Sequence, residues 1–188
     1  MENFTGIILA GGKSQRMGTD KGMLPLNGKP FITHIYEAMK PIFGDNIVVV
    51  SSNVDYDAFG YHRIEDLISD KGPVGGLYTA LKQSKTKFNL VLSVDVPLIT
   101  TELVQWLVDN HDDGYLVTQV QVGEKASPLV AVYDRALRAL LGEHLAGNQL
   151  KLRDVIAEVH PQTLIIPEKW SAQLQNINTE EDYKKIQK

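Results

Sequence analysis

The stretch from Leu9 to Lys21, LAGGKSQRMGTDK, gathers the residue types that handle phosphate. Gly11 and Gly12 let a backbone turn sharply and come close to a ligand, and amides exposed in such a turn cradle anionic oxygens. Lys13, Arg16 and Lys21 add three cations within nine residues, with Ser14 among them. As a set these favour a polyphosphate site over a merely solvated loop. Two better-known phosphate motifs do not fit. Gly12-Lys13-Ser14 resembles the end of a Walker A loop, but that motif also needs glycine at position 7, which is Ile7. The dinucleotide fingerprint requires glycine at position 13, which is Lys13.

Asp95, in SVDVP, follows the apolar run Phe88 to Val94. A carboxylate at the end of a buried strand suits Mg2+, which takes one or two carboxylates and fills its remaining positions with phosphate oxygens and water. The competing reading is an aspartate that caps the Thr100 turn or pairs with a lysine. Glu65 and Asp66 precede Asp70 and the run Gly72-Pro73-Val74-Gly75-Gly76-Leu77. Glycines at a helix start permit close approach, so the amides around Gly75 could meet an anion or a base edge, against a plain loop with a helix-starting proline. Asn176 and Asn178 lie in a turn, where asparagine serves as a backbone cap or a ligand contact. The five histidines, His34, His62, His111, His144 and His160, show no metal-ligand spacing.

Positioning these residues falls to alternating strands and helices. Phe4 to Ala10 is a short apolar run ending in glycines. Ile32, Ile35, Tyr36, Met39 and Phe43 have helical spacing, with Pro30 suited to a first turn. Ile47 to Val50 and Tyr61 to Ile64 read as strands, and Val74, Leu77, Tyr78 and Leu81 as a helix starting near Pro73. The continuous apolar character of Phe88 to Val94 predicts a parallel strand buried on both faces, followed by a helix capped by Thr101. This alternation predicts a doubly wound α/β fold, a mostly parallel mixed sheet with helices on both faces, whose ligands bind beyond the carboxyl ends of the strands. After Gly114 the rhythm changes. Tyr115 to Val122 and Pro128 to Tyr133 predict a hairpin, then helices over Arg135 to His144 and Leu152 to Glu158 and a strand over Thr163 to Ile166. Thr179, followed by Glu180, Glu181 and Asp182, predicts a capped last helix.

The chain has 188 residues, 43% hydrophobic and 22% charged, which excludes a disordered chain, a collagen and a coiled coil. We read one domain over 1–188, with 1–110 mainly the nucleotide-binding half and 111–188 mainly the half that holds a second substrate. The net charge of −4 gives no drive toward nucleic acid or anionic lipid. The absence of cysteine excludes a disulfide scaffold, a cysteine nucleophile and a thiolate zinc site. No run approaches the roughly 18 apolar residues of a membrane span, and the N-terminus does not read as a signal peptide. The expectation is a cytoplasmic protein bound to neither membrane nor nucleic acid.

Together the motifs resemble the molybdenum cofactor guanylyltransferase family. The resemblance rests on LAGGKSQRMGTDK at 9–21, PLNGKP at 25–30, Glu65-Asp66, GPVGGL at 72–77, DVP at 95–97 and NINTEED at 176–182, and spans nearly the whole chain. It implies a Rossmann-like nucleotidyltransferase fold and transfer of GMP from GTP to molybdopterin with release of pyrophosphate, assisted by Mg2+. It implies that the Leu9-Ala10-Gly11 backbone, with Gly12 and Gly75 nearby, holds the guanosine. Lys21 then binds GTP phosphates with help from Arg16, and these two with Asp95 form the catalytic set. Asp66 is implied as a GTP-binding aspartate, Asp95 as the Mg2+ ligand, and Asn178 as linked to the pterin side, where Lys125 and Arg153 are further candidates. Relatives often carry asparagine where Ser51 stands, as a nucleotide contact; Asn53 is the substitute for that role. Partners implied are GTP, molybdopterin and transient contacts with cofactor-biosynthesis or acceptor proteins. Three alternatives remain open: a cytidylyltransferase on the same cofactor, a nucleotidyltransferase on a sugar or isoprenoid phosphate, and a GTP-binding assembly module without turnover.

Overall fold

The computed structural model describes residues 3–11, 20–68 and 70–187. Its strands are β1 (Phe4–Leu9), β2 (Pro25–Leu26), β3 (Lys29–Pro30), β4 (Ile47–Val50), β5 (Arg63–Ile64), β6 (Phe88–Ser93), β7 (Val117–Val122), β8 (Lys125–Asp134) and β9 (Gln162–Ile165). The helices are α1 (Phe31–Phe43), α2 (Gly72–Gln83), α3 (Thr101–Asp109), α4 (Arg138–Ala146), α5 (Leu152–Glu158) and α6 (Glu180–Ile186). β2 and β3 form a small separate hairpin; the other seven strands make one sheet in the order β5-β4-β1-β6-β8-β7-β9. β8 alone runs against the other six, so the sheet is mixed and mostly parallel.

β1 and β6 are apolar on both faces because helices cover both. Along β1 and the residue after it, Ile8 and Ala10 join one core cluster with residues of α1 and α3, while Ile7 and Leu9 join a second with residues of α2, α4 and α5. This is the period-two alternation of a strand with each face buried. The chain passes from β1 through α1 to β4 on one side, then crosses back through α2 to β6 on the other side of β1. The crevice beyond the carboxyl ends of β1 and β6 is therefore the topological switch point, where open α/β sheets bind ligands. Leu9 pairs with Ser93 at that edge.

The structure moves several boundaries. The strand expected from Tyr115 starts at Val117, and Tyr115 and Leu116 are exposed. The returning strand begins at Lys125, not Pro128. The register between β7 and β8 shifts at Gln119/Val120, and residues 128–130 lie opposite that irregularity. Proline has no N–H for a regular ladder, so Pro128 belongs at such a break. Thr101 is the first residue of α3 rather than its cap, which is Thr100. α6 starts as expected, with a capping box in which the Thr179 hydroxyl accepts the Asp182 N–H and Asp182 returns to the Thr179 backbone. Among the described residues no helix is long and apolar enough to cross a membrane.

Candidate active site

Lys21 opens a short 3-10 turn, Lys21–Met23, whose N-cap is Asp20. Its ammonium donates to Asp95 Oδ1 at 3.0 Å and to Asn178 Oδ1 at 2.5 Å. Two residues 74 and 157 positions removed from Lys21 are thus joined at its one nitrogen. Asp95 stands just past the end of β6, at the switch-point crevice, and its carbonyl accepts the Ile177 N–H at 2.9 Å. Ile177 is fully buried with Leu26 and Phe31. This contact, and the bond from the Asn178 N–H to Asp182 Oδ2 at the head of α6, bring Asn178 to the crevice. The lysine and aspartate side chains are 13% and 26% exposed, so the pair is largely shielded but reachable from the crevice.

On the other side of β1, several of the residues expected to hold the nucleoside lie close to one another among the described residues. A Cβ on Gly76 would lie 3.6 Å from Leu9, and one on Gly75 would lie 3.7 Å from Asp66 Oδ2 and only 2.9 Å from Lys71 Cβ. Glycine at 75 is thus a packing requirement that also leaves backbone bare beside a carboxylate. Asp66 Oδ1 accepts the Thr79 hydroxyl at 2.8 Å and the Ile68 N–H at 3.1 Å, which fixes the carboxylate. Gly11 follows Ala10 beyond β1, exposed, with open space where a Cβ would be. Gly12 and Arg16, expected in the phosphate segment, lie outside the described residues.

Ser51 and Asn53 are both engaged by the protein. The buried Ser51 hydroxyl donates to the Ala10 carbonyl at 2.8 Å, and Asn53 Nδ2 donates to Asp20 Oδ2 at 2.8 Å. Two members of this arrangement went unrecognised in the sequence: Asp20 and Tyr56. Asp20 is a typical cap residue directly before Lys21-Gly22, a signal available without a structure; nothing in the sequence pairs Tyr56 with it.

Among the described residues, Asp95 is the carboxylate that the crevice offers to a metal. No group of three or more acidic or histidine residues gathers among the described residues, and Lys21 is the cation that ion-pairs with Asp95 there. This donor set suits an ion that takes one carboxylate and completes its shell with phosphate and water, as Mg2+ does; it does not suit zinc.

Beyond the crevice, a cleft of about 400 Å³ is lined by Pro73, Pro128, Leu129, Lys151, Leu152 and Arg153, among others. Pro73 lies in the first turn of α2, and Pro128 lies two residues before Val130, the partner of Leu92 in β6. The cleft therefore opens at the same edge of the sheet as Asp95. Arg153 reaches the Ala126 carbonyl at 3.5 Å from this cleft, while Lys125 is exposed at the start of β8.

Comparison with known proteins agrees with this architecture. A probable molybdenum cofactor guanylyltransferase of Flavobacterium johnsoniae is 41% identical over 97% of this chain and 95% of its own. The molybdenum cofactor guanylyltransferase of Yersinia pestis is 31% identical over 96% of this chain and 93% of its own. The fold is shared with the molybdopterin-guanine dinucleotide biosynthesis protein A of Archaeoglobus fulgidus, at a TM-score of 0.83 and 21% identity over 97% of this chain and 96% of that one. Residues 6–176 match the MobA-like NTP transferase domain, and with that match across both sides of the crevice the chain belongs to the MobA-like NTP transferase family.

Proposed function

We propose that the protein transfers GMP from GTP to molybdopterin, forming the guanine dinucleotide cofactor and releasing pyrophosphate. The observation that carries this reading is the Lys21 ammonium held between Asp95 and Asn178 at the switch-point crevice, in a chain whose relatives named above are molybdenum cofactor guanylyltransferases.

In this reading the backbone of Leu9, Ala10 and Gly11, together with Asp66 and Gly75, holds the guanosine. Asp66 is suited to guanine because its Oδ1 is already committed to Thr79 and Ile68, while Oδ2 lies beside Gly75 and would accept from the donors of a base edge. Lys21, with Arg16, neutralises the triphosphate. Asp95 would hold Mg2+, which when bound supplies charge stabilisation to the phosphate oxygens. The second substrate lies toward the cleft of Pro128 and Arg153, whose apolar walls suit a planar ring and whose cations suit its phosphate. That phosphate attacks the α-phosphorus in line as pyrophosphate leaves. The chain's task is positioning and charge neutralisation. A phosphate monoester with a second pKa of about 6 is already ionised at neutral pH, so no general base is required.

Titration calorimetry of GTP, CTP and ATP with Mg2+ tests the reading. GTP binding in preference to CTP and ATP is the expected result. Preference for CTP would assign the cytidylyl reaction instead, and equal binding of all three would remove the guanine assignment.

A further inference from the structure

The segment between Ala10 and Asp20 is fastened at both ends to one short stretch that follows β4. At its entry, the Ser51 hydroxyl donates to the Ala10 carbonyl at 2.8 Å and accepts the Asn53 N–H at 3.1 Å. At its exit, Asp20 Oδ2 accepts Asn53 Nδ2 at 2.8 Å, and Oδ1 accepts both the Tyr56 hydroxyl at 2.6 Å and the Gly22 N–H at 2.9 Å. Asn53 is common to both ends, and its own Oδ1 accepts the Asp55 N–H at 3.0 Å, capping the 3-10 turn Val54–Phe59 that carries Tyr56. Tyr56 is fully buried, and a Cβ on Gly22 would lie 2.1 Å from its hydroxyl oxygen. Tyrosine at 56 and glycine at 22 are therefore fitted to one another around the residue that bears the Lys21 backbone.

A lysine side chain has four rotatable bonds, and its ammonium meets a phosphate reproducibly only if its backbone is fixed. Asp20, with three donors converging on its two oxygens, supplies that fixation one residue away. We propose that Ser51, Asn53, Tyr56 and Asp20 form a clamp that holds Ala10 and positions Lys21, and that Ser51 and Asn53 act on the nucleotide through this clamp and not by touching it. The clamp deepens the guanylyl-transfer reading and rests on it only in taking Lys21 as a phosphate ligand. It also gives serine at position 51 a role: its short, buried hydroxyl reaches the Ala10 carbonyl inside the fold.

Calorimetry with inorganic tripolyphosphate, GTP and GMP, each with Mg2+, on the wild-type protein, Tyr56→Phe and Asn53→Ala tests the clamp. The clamp predicts that each variant loses affinity for tripolyphosphate and for GTP alike, by roughly tenfold for one charge-assisted hydrogen bond, while GMP binding is unchanged. A direct nucleoside contact predicts the opposite pattern, with GTP and GMP weakened and tripolyphosphate unaffected, and would overturn the clamp. Equal weakening of all three ligands would reduce these residues to general structural support and would also overturn it. Should Tyr56→Phe fail to fold, Asn53→Ala, at a half-buried position, decides alone. If the wild-type protein binds neither tripolyphosphate nor GTP, the guanylyl-transfer reading falls first and the clamp with it; if it binds both and the variants match it, only the clamp falls.

Discussion

Lys21 gains its role from two neutral-to-anionic acceptors that the sequence places far away. With Asp95 on one side and Asn178 on the other, its ammonium is aimed before any ligand arrives, and such preorganised charge is where enzymes gain most of their rate. Lys21→Ala is expected to lower kcat for guanylyl transfer by about a hundredfold or more, as removal of one charge-stabilising group does. Asp95→Asn should do the same, and the double variant should lose little beyond the worse single, because the two act as a unit; steady-state kinetics on the three proteins checks this. A second residue, His111, sets a pH dependence far from the crevice. Its Nδ1 lies 2.8 Å from the Thr118 hydroxyl, which itself donates to Gln162 Oε1, so the ring nitrogen must be the donor. Nε2 is buried without a partner among the described residues, between Phe4 and Phe88. Burial holds the pKa below its ordinary 6.5, with Lys87 adding to the effect and Asp112, Asp113 and Asp134 opposing it. The unfolded chain therefore takes up the proton first as pH falls, so stability is full above about 6.5 and declines below it until the folded ring also protonates. Urea unfolding from about pH 7 to pH 5 should show a loss in the wild type that is smaller in His111→Gln, which keeps a donor for Thr118.

At the level of elements, the long apolar runs were legible and the short polar pieces were not. Phe4 to Ala10 and Phe88 to Val94 announce buried strands because both faces are covered, and the helical spacing of Ile32 to Phe43 announces α1. The 3-10 turn at Lys21–Met23 and the β2–β3 hairpin leave no periodic trace. They are two or three residues long and are held by tertiary bonds such as Tyr56 to Asp20, which local pattern does not contain. The same holds for the site. Lys21, Asp95 and Asn178 stand out as residue types in turns, but their meeting depends on Ile177 packing into a satellite core with Leu26 and Phe31. The fit of Gly22 against Tyr56 makes a sharp prediction at this scale. A methyl at 22 would sit 2.1 Å from a buried hydroxyl, so Gly22→Ala should destabilise the fold by about 1–3 kcal/mol, the usual cost of forced overpacking. Differential scanning calorimetry would register it as a lowered Tm. In the Tyr56→Phe background, where the hydroxyl is gone, part of that loss should be recovered.

For the whole molecule, one sheet carries both halves of the chain. β6 pairs with β1 on one side and β8 on the other, so the earlier and later parts of the chain share a strand, with Asp95 just past its end. A single cooperative unfolding transition follows, with near- and far-ultraviolet circular dichroism coinciding; two separated transitions would divide the halves into independent units. In the proposed reaction the switch point created by the crossover from β5 to β6 would set two phosphorylated substrates against each other, with Leu9 on one strand and Asp95 past the end of the next. Direct turnover tests this most sharply. Incubating the protein with molybdopterin, Mg2+ and an equal mixture of GTP and CTP, then separating the dinucleotide products, should yield the guanine dinucleotide with one pyrophosphate per GMP transferred, and with Lys21→Ala as a near-inactive control. Formation of the cytosine dinucleotide, or release of pyrophosphate without a pterin product, would contradict the account.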